Sequence, residues 1–340
     1  MSFAGVAVAS VSLGKPEGSH RIESVLRSAA KHGFQGIELV HEHLVEYAHR
    51  VHGNVSEPAV LEASVDVRRF CNELQLEIIA LQPFALYEGQ LDREAHRKSI
   101  SKMYHWIDLA HALGADLIQM PSNFAEDGIT DDLNTMVADL VELADITGAA
   151  KPPIRLAYEA VAWGTYVDLW EQSWEIVKRV DRPNFGLCLD TFHIAGRVWA
   201  DPCSETGKTA SAEEDLEASL ALMRKLPVEK VFYLQLSDAE KLTPPYSPGH
   251  EMFEDGGRAR CLWSRGARLF PFEEDRGGYL PISAIASTII QDVGYRGWVS
   301  MEIFSRHLCK PCDCSTVPDE YAQRAMRSFQ NLWKTLRLDE

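Results

Sequence analysis

Four polar side chains stand where short apolar runs end. Glu159 follows the run 154–158, Asp190 follows 185–189, Gln235 lies near the end of 231–236, and Glu302 follows 298–301. Two glutamates and an aspartate aimed at one another repel strongly, and a divalent cation resolves that repulsion. Hard oxygen donors of this kind suit Mg²⁺, Mn²⁺ or Co²⁺. One acidic residue after a strand is usually a helix N-cap or a solvated turn. Four at matching depth on successive strands point to a metal site instead. Glu38, within 36–40, is either a fifth inward carboxylate or a support behind the ligands.

A base stands next to this set. His193 lies three residues beyond Asp190 in Asp190-Thr191-Phe192-His193, close enough for both to face one substrate. A neutral imidazole abstracts protons near physiological pH. The other reading of His193 is a rim histidine bonded to a carboxylate. His193 and Glu159 are the catalytic candidates. His41-Glu42-His43 has the spacing of a metal-binding pair, but an extended chain would send His41 and His43 to opposite faces. His41 is therefore read as a substrate-facing group, and His105, beside Trp106, as packing.

Such residues need a scaffold that brings strand ends to one rim. Short β-branched or apolar runs alternate with longer amphipathic stretches, which reads as βαβ units and a parallel sheet. The strands are read at 6–10, 36–40, 77–82, 116–120, 154–158, 185–189, 231–236 and 298–301, and the helices at 21–32, 57–74, 93–113, 132–147, 166–180, 213–225, 282–293 and 319–336. Eight units fit a (β/α)₈ barrel, whose strand ends converge on one catalytic face. No G-x-G-x-x-G follows the first strand, which leaves a dinucleotide fold unsupported. Residues 1–340 are read as a single domain. The long segment 237–279 after strand seven, with Trp263, Arg265 and Arg268, is read as an active-site lid, the alternative being a disordered insertion.

The bulk numbers agree. The chain has 340 residues, 46% hydrophobic and 25% charged, with a formal charge of -16. That surface argues against binding nucleic acid, which needs clustered Lys and Arg. A few inward arginines still allow an anionic small substrate. No apolar run reaches the roughly 18 residues of a membrane span. The odd count of seven cysteines suits a reducing compartment, so a cytoplasmic protein is expected. Cys309, Cys312 and Cys314 have no second spaced pair, and read as loop thiols rather than a zinc site. The oligomeric state is left open, homo-oligomers included.

The motifs carry a resemblance. Gly36-Ile37-Glu38-Leu39, Gln119-Met120-Pro121-Ser122-Asn123-Phe124, Tyr158-Glu159-Ala160, Trp163-Gly164, the run from Asp190 to Arg197, Gln235-Leu236-Ser237-Asp238-Ala239 and Trp263-Ser264-Arg265 resemble the 3-dehydroshikimate dehydratases of fungal quinate catabolism, within the xylose isomerase-like barrels. The resemblance spans nearly the whole chain. It implies a divalent metal on Glu159, Asp190, Gln235 and Glu302, and a histidine at His193. It also implies conversion of 3-dehydroshikimate to protocatechuate through an enolate that the metal stabilises, begun by proton abstraction at His193. In that scheme Arg265 or Arg268 holds the substrate carboxylate, and Ser237 and Tyr158 bond its hydroxyls. Three rivals stand beside it: a sugar or inositol isomerase, epimerase or dehydratase on the same fold, an abasic-DNA endonuclease relative, and a non-catalytic barrel. The carboxylate-binding arginine separates the first, and the acidic charge disfavours the second.

Overall fold

The computed structural model describes residues 3–310 and 316–338. Eight parallel strands close into a barrel in the order β1-β10-β7-β6-β5-β4-β3-β2. They are β1 (Gly5–Ala9), β2 (Gly36–Val40), β3 (Glu77–Gln82), β4 (Leu117–Pro121), β5 (Arg155–Glu159), β6 (Phe185–Asp190), β7 (Val231–Leu236) and β10 (Trp298–Met301). Two further short strands, β8 (Asp238–Ala239) and β9 (Arg268–Leu269), pair antiparallel outside the barrel. The expected (β/α)₈ architecture is what the chain adopts.

Local chemistry sets the element ends. Asp92 accepts the Glu94 amide at the start of helix Arg93–Leu113, and Gly114, at φ 69°, ends it in the left-handed conformation. Asp132 caps helix Leu133–Ala149 in the same way. Inside the barrel, Ala7, Ile79, Ala80, Leu117, Ala157, Cys188 and Tyr233 pack into a plug. Small residues among large ones let side chains from alternate strands interdigitate there. The larger core lies between the sheet and its helices. A sealed plug leaves the C-terminal ends of the strands as the open side.

Several short helices begin where strands stop: Ser10–Leu13, His41–Tyr47 and Thr191–Val198. The strand read at 6–10 runs one residue past its true end, and an extended path for His41 and His43 does not hold because the chain is helical from His41. Asp190 is itself the N-cap of Thr191–Val198, accepting the Phe192 amide at 2.7 Å. Its cap role and its place in the site are therefore compatible.

The segment 237–279 packs against the rim. Helix Ala259–Ala267 runs between β8 and β9. Arg258 donates to the Trp163 carbonyl at 2.8 Å, Arg260 to the Gly196 carbonyl at 2.7 Å, and Trp263 to the Glu240 carbonyl at 2.9 Å. The first two bonds tie it to the loop after β5 and to helix Thr191–Val198 after β6, and the third lies within the segment. Among the described residues, no helix is long and apolar enough to cross a membrane.

Candidate active site

Strand register brings the four strand-end residues together. Asp190 pairs with Gln235, and Gln235 with Ser300, while the Glu302 amide donates to the Leu236 carbonyl at 3.1 Å. Glu159 ends β5 beside Pro121 of β4. All four side chains are buried. Glu159, Asp190 and His193 each offer a ligand atom, all within 4.8 Å of one another. Nε2 of His193 lies 3.6 Å from Asp190 Oδ2 and 4.0 Å from Glu159 Oε1. Ligand atoms about 2.1 Å from one octahedral ion stand roughly 3–4 Å apart, so the spacing fits a shared cation.

The electrostatics ask for such a cation. Burial pushes the Glu159 carboxyl well up, and the charges of Asp190 and Glu302 push it further. Burial also raises Asp190 and Glu302, which the Arg268 guanidinium partly offsets. A bound dication would invert these shifts and hold the carboxylates ionised. Gln235 supplies a neutral oxygen: its Oε1 lies 3.2 Å from Cys188 Sγ, which is also 3.7 Å from Glu159 Oε1. Carboxylates, an amide and an imidazole together suit a divalent metal.

Two N–H donors face the His193 ring. The Ala162 amide donates to its Nδ1 at 3.1 Å, and Arg268 Nη2 stands 2.9 Å from Nε2. A neutral imidazole can accept from one of these donors, an imidazolium from neither. Burial and then the Arg268 charge lower its pKa well below the ordinary value. Trp163 packs edge-on to the ring at 4.9 Å between centroids. The turn carrying Trp163 requires glycine next to it, because a Cβ on Gly164 would collide with the Val167 carbonyl.

A cavity of about 360 Å³ opens over this cluster, lined among others by Lys15, Gln82, Trp163, Arg265 and Phe304. That volume suits a small ring-sized ligand. Arg265 lines it with its side chain exposed, and no carboxylate lies within ion-pair distance of it among the described residues.

Several expected substrate contacts are placed elsewhere. Arg268 is fully committed: it donates to Asp190 at 2.6 Å, Glu302 at 3.2 Å, and Ser264 at 2.9 Å. It belongs to the carboxylate cluster and is no free clamp. Ser237 donates to Asp190 Oδ1 at 3.2 Å, so its hydroxyl supports a ligand candidate and does not line the cavity. Tyr158 points away from the barrel interior, because strand side chains alternate and Glu159 points in. Its hydroxyl donates to the buried Glu88 at 2.8 Å. His41 stacks on Trp106 at 5.0 Å, since the chain turns helical at that residue. Glu42, not His41 or His43, reaches the cavity. Cys309 is exposed and unpaired, while Cys312 and Cys314 lie outside the described residues.

Two further glutamines bond the site acids. Gln119 donates to Glu159 Oε2 at 2.6 Å, and Gln82 to Glu302 Oε1 at 2.7 Å. Gln82 ends β3, whereas Gln119 lies at the middle of β4, within the Gln119–Phe124 run that carries the resemblance. Lys15 follows the helical turn after β1 and lies over the Phe304 ring at 5.4 Å.

A closed parallel barrel with buried acids at its C-terminal rim is the architecture of the xylose isomerase-like TIM barrels, and the chain belongs to that family, whose model matches residues 26–332. Over 341 residues it is 42% identical to the 3-dehydroshikimate dehydratase of Neurospora crassa, covering 98% of this chain and 94% of that one. It is 32% identical over 299 residues to the 3-dehydroshikimate dehydratase of Pseudomonas aeruginosa, covering 88% of this chain but only 38% of that longer protein. Among solved structures, a xylose isomerase-like TIM barrel/4-hydroxyphenylpyruvate dioxygenase fusion protein superposes with a TM-score of 0.74 at 26% identity, over 100% of this chain and 44% of that one.

Proposed function

We propose that this protein is a metal-dependent hydro-lyase that converts 3-dehydroshikimate to protocatechuate and water. The near-full-length match to a dehydratase of that name supports the substrate. The observation that carries the reaction is a buried histidine within 4.0 Å of two buried acids under a small cavity. Glu159, Asp190, Gln235 and Glu302 would hold the ion. Bound there, a divalent metal supplies Lewis acidity toward the substrate ketone and lowers the pKa of the adjacent C–H.

The protein's own groups do the rest. Arg265 binds the substrate carboxylate and sets the ring's orientation. His193 takes a proton from the carbon next to the ketone. The β-hydroxyl leaves, taking up one proton, so that one water is lost in all. Tautomerisation then gives the aromatic ring, whose stability draws the sequence forward. The segment 237–279 excludes bulk water from the proton transfer. Neutral sugars would leave Arg265 without a partner, which favours the anionic substrate over the sugar isomerase reading.

The test is a direct assay. Purified protein with 3-dehydroshikimate and Mg²⁺, Mn²⁺ or Co²⁺ should generate the ultraviolet absorbance of protocatechuate, and a chelator should abolish it. Metal bound with no product would discard the substrate and bring the sugar isomerase reading forward.

A further inference from the structure

Glu38 is the most densely bonded acid in the barrel. It lies fully buried in β2, which β1 separates from β10, the nearest strand to carry a proposed ligand. Its Oε1 accepts from Gln82 Nε2 at 2.7 Å, Tyr233 Oη at 2.7 Å and Gln235 Nε2 at 2.6 Å. Its Oε2 accepts from Ser300 Oγ at 2.7 Å. Both amides are thereby set. A carboxylate accepts and does not donate, so it fixes which end of a neighbouring amide faces it. With its NH₂ turned to Glu38, Gln235 must turn its Oε1 the other way, to the side where Cys188 and Glu159 lie. Gln82 spends its NH₂ on two acids, bridging Glu38 Oε1 to Glu302 Oε1 at 2.7 Å each. Through two amides, one carboxylate governs two of the four proposed ligands.

We infer that Glu38 is a positioning residue for the metal site, fixing the amide sense of Gln235 and, through Gln82, the rotamer of Glu302. It binds neither metal nor substrate. This rests on the ligand set of the proposed function. Groups that orient metal ligands typically change affinity by about 10- to 100-fold when removed. The strand-two acid is thereby separated from the ligands proper, a choice its position in the sequence leaves open.

The test compares Mn²⁺ binding, by calorimetry on the full chain, with thermal melting of the chelated protein. Glu38→Gln keeps the shape but no longer dictates which way Gln235 turns. Its Mn²⁺ dissociation constant should rise by roughly 10- to 100-fold, with the melting temperature near that of the parent. Ser300→Ala, which removes a bond to Glu38 without touching either amide, should leave Mn²⁺ affinity within about threefold. Gln82→Met removes the bridge from Glu38 to Glu302 but leaves the Glu38–Gln235 bond, so it should give an intermediate loss, and it serves alone if Glu38→Gln does not fold. Unchanged affinity in Glu38→Gln, or in Gln82→Met where it stands alone, overturns the inference. So does a loss of affinity that only parallels a loss of melting temperature. Absence of Mn²⁺ binding by the parent protein would instead overturn the ligand set itself.

Discussion

Arg268 Nη1 stands 2.6 Å from Asp190 Oδ2, with the two side chains 1% and 0% exposed. The same nitrogen lies 3.2 Å from Glu302 Oε2. One guanidinium thus offsets two of the acids that would hold a metal. Breaking a buried pair by removing one partner leaves an uncompensated charge, at a cost of about 3–5 kcal/mol. Arg268→Met should therefore lower the melting temperature of chelated protein by several degrees. Added Mn²⁺ should raise the variant's melting temperature more than the parent's, because the ion takes over the neutralisation. A variant as stable as the parent without metal would mean that these acids need no counter-charge.

His193 has two possible employments, base and metal ligand, and they separate on measurement. If it moves the proton, His193→Gln should reduce kcat by about 10²–10⁴ while Mn²⁺ affinity stays within about tenfold. A collapse of Mn²⁺ affinity alongside activity would make it a ligand.

The fold was legible in this sequence because each barrel strand is short, apolar and ended by a polar residue. Glu159, Asp190, Gln235 and Glu302 were findable for the same reason: they end their strands at one depth. Tyr158 was misread although the strand period was known, since an inward Glu159 forces it outward. His41 was misread because helix His41–Tyr47 starts at that residue, which changes every side-chain direction. Arg268 is different in kind. It lies 78 residues from Asp190, on a two-residue strand with no periodicity to read. Only the tertiary path of the segment 237–279 brings it into the cluster.

Arg265 and Tyr158 give a contrast within one assay. Arg265 lines the cavity with no carboxylate at ion-pair distance among the described residues, whereas Tyr158 is sealed behind β5 on Glu88. A charge-assisted bond contributes about 1.5–3 kcal/mol. Arg265→Met should raise KM for 3-dehydroshikimate by roughly 10- to 150-fold with a smaller effect on kcat, and Arg265→Lys should recover part of it. Tyr158→Phe should leave KM within about twofold and show its effect in stability, about 1–3 kcal/mol, from the acceptor left at Glu88. A large KM effect in Tyr158→Phe would return its hydroxyl to the substrate.

His43 sets a pH dependence of stability away from the carboxylate cluster. It is fully buried, with Nδ1 3.0 Å from Ser10 Oγ, and burial lowers its pKa to about 4. In the unfolded chain a histidine titrates near 6.5. Between these values the unfolded state binds the proton and the folded state does not. Stability is therefore complete above about pH 6.5 and lost as pH falls toward 4. The span corresponds to about 3 kcal/mol at its acid end. Acid titration of other buried groups acts on parent and variant alike, so the difference isolates His43. Denaturant midpoints taken at pH 7 and pH 4.5 should fall further for the parent than for His43→Asn. Equal falls in the two proteins would mean that the imidazole is accommodated as the cation, and that burial at this position costs it nothing.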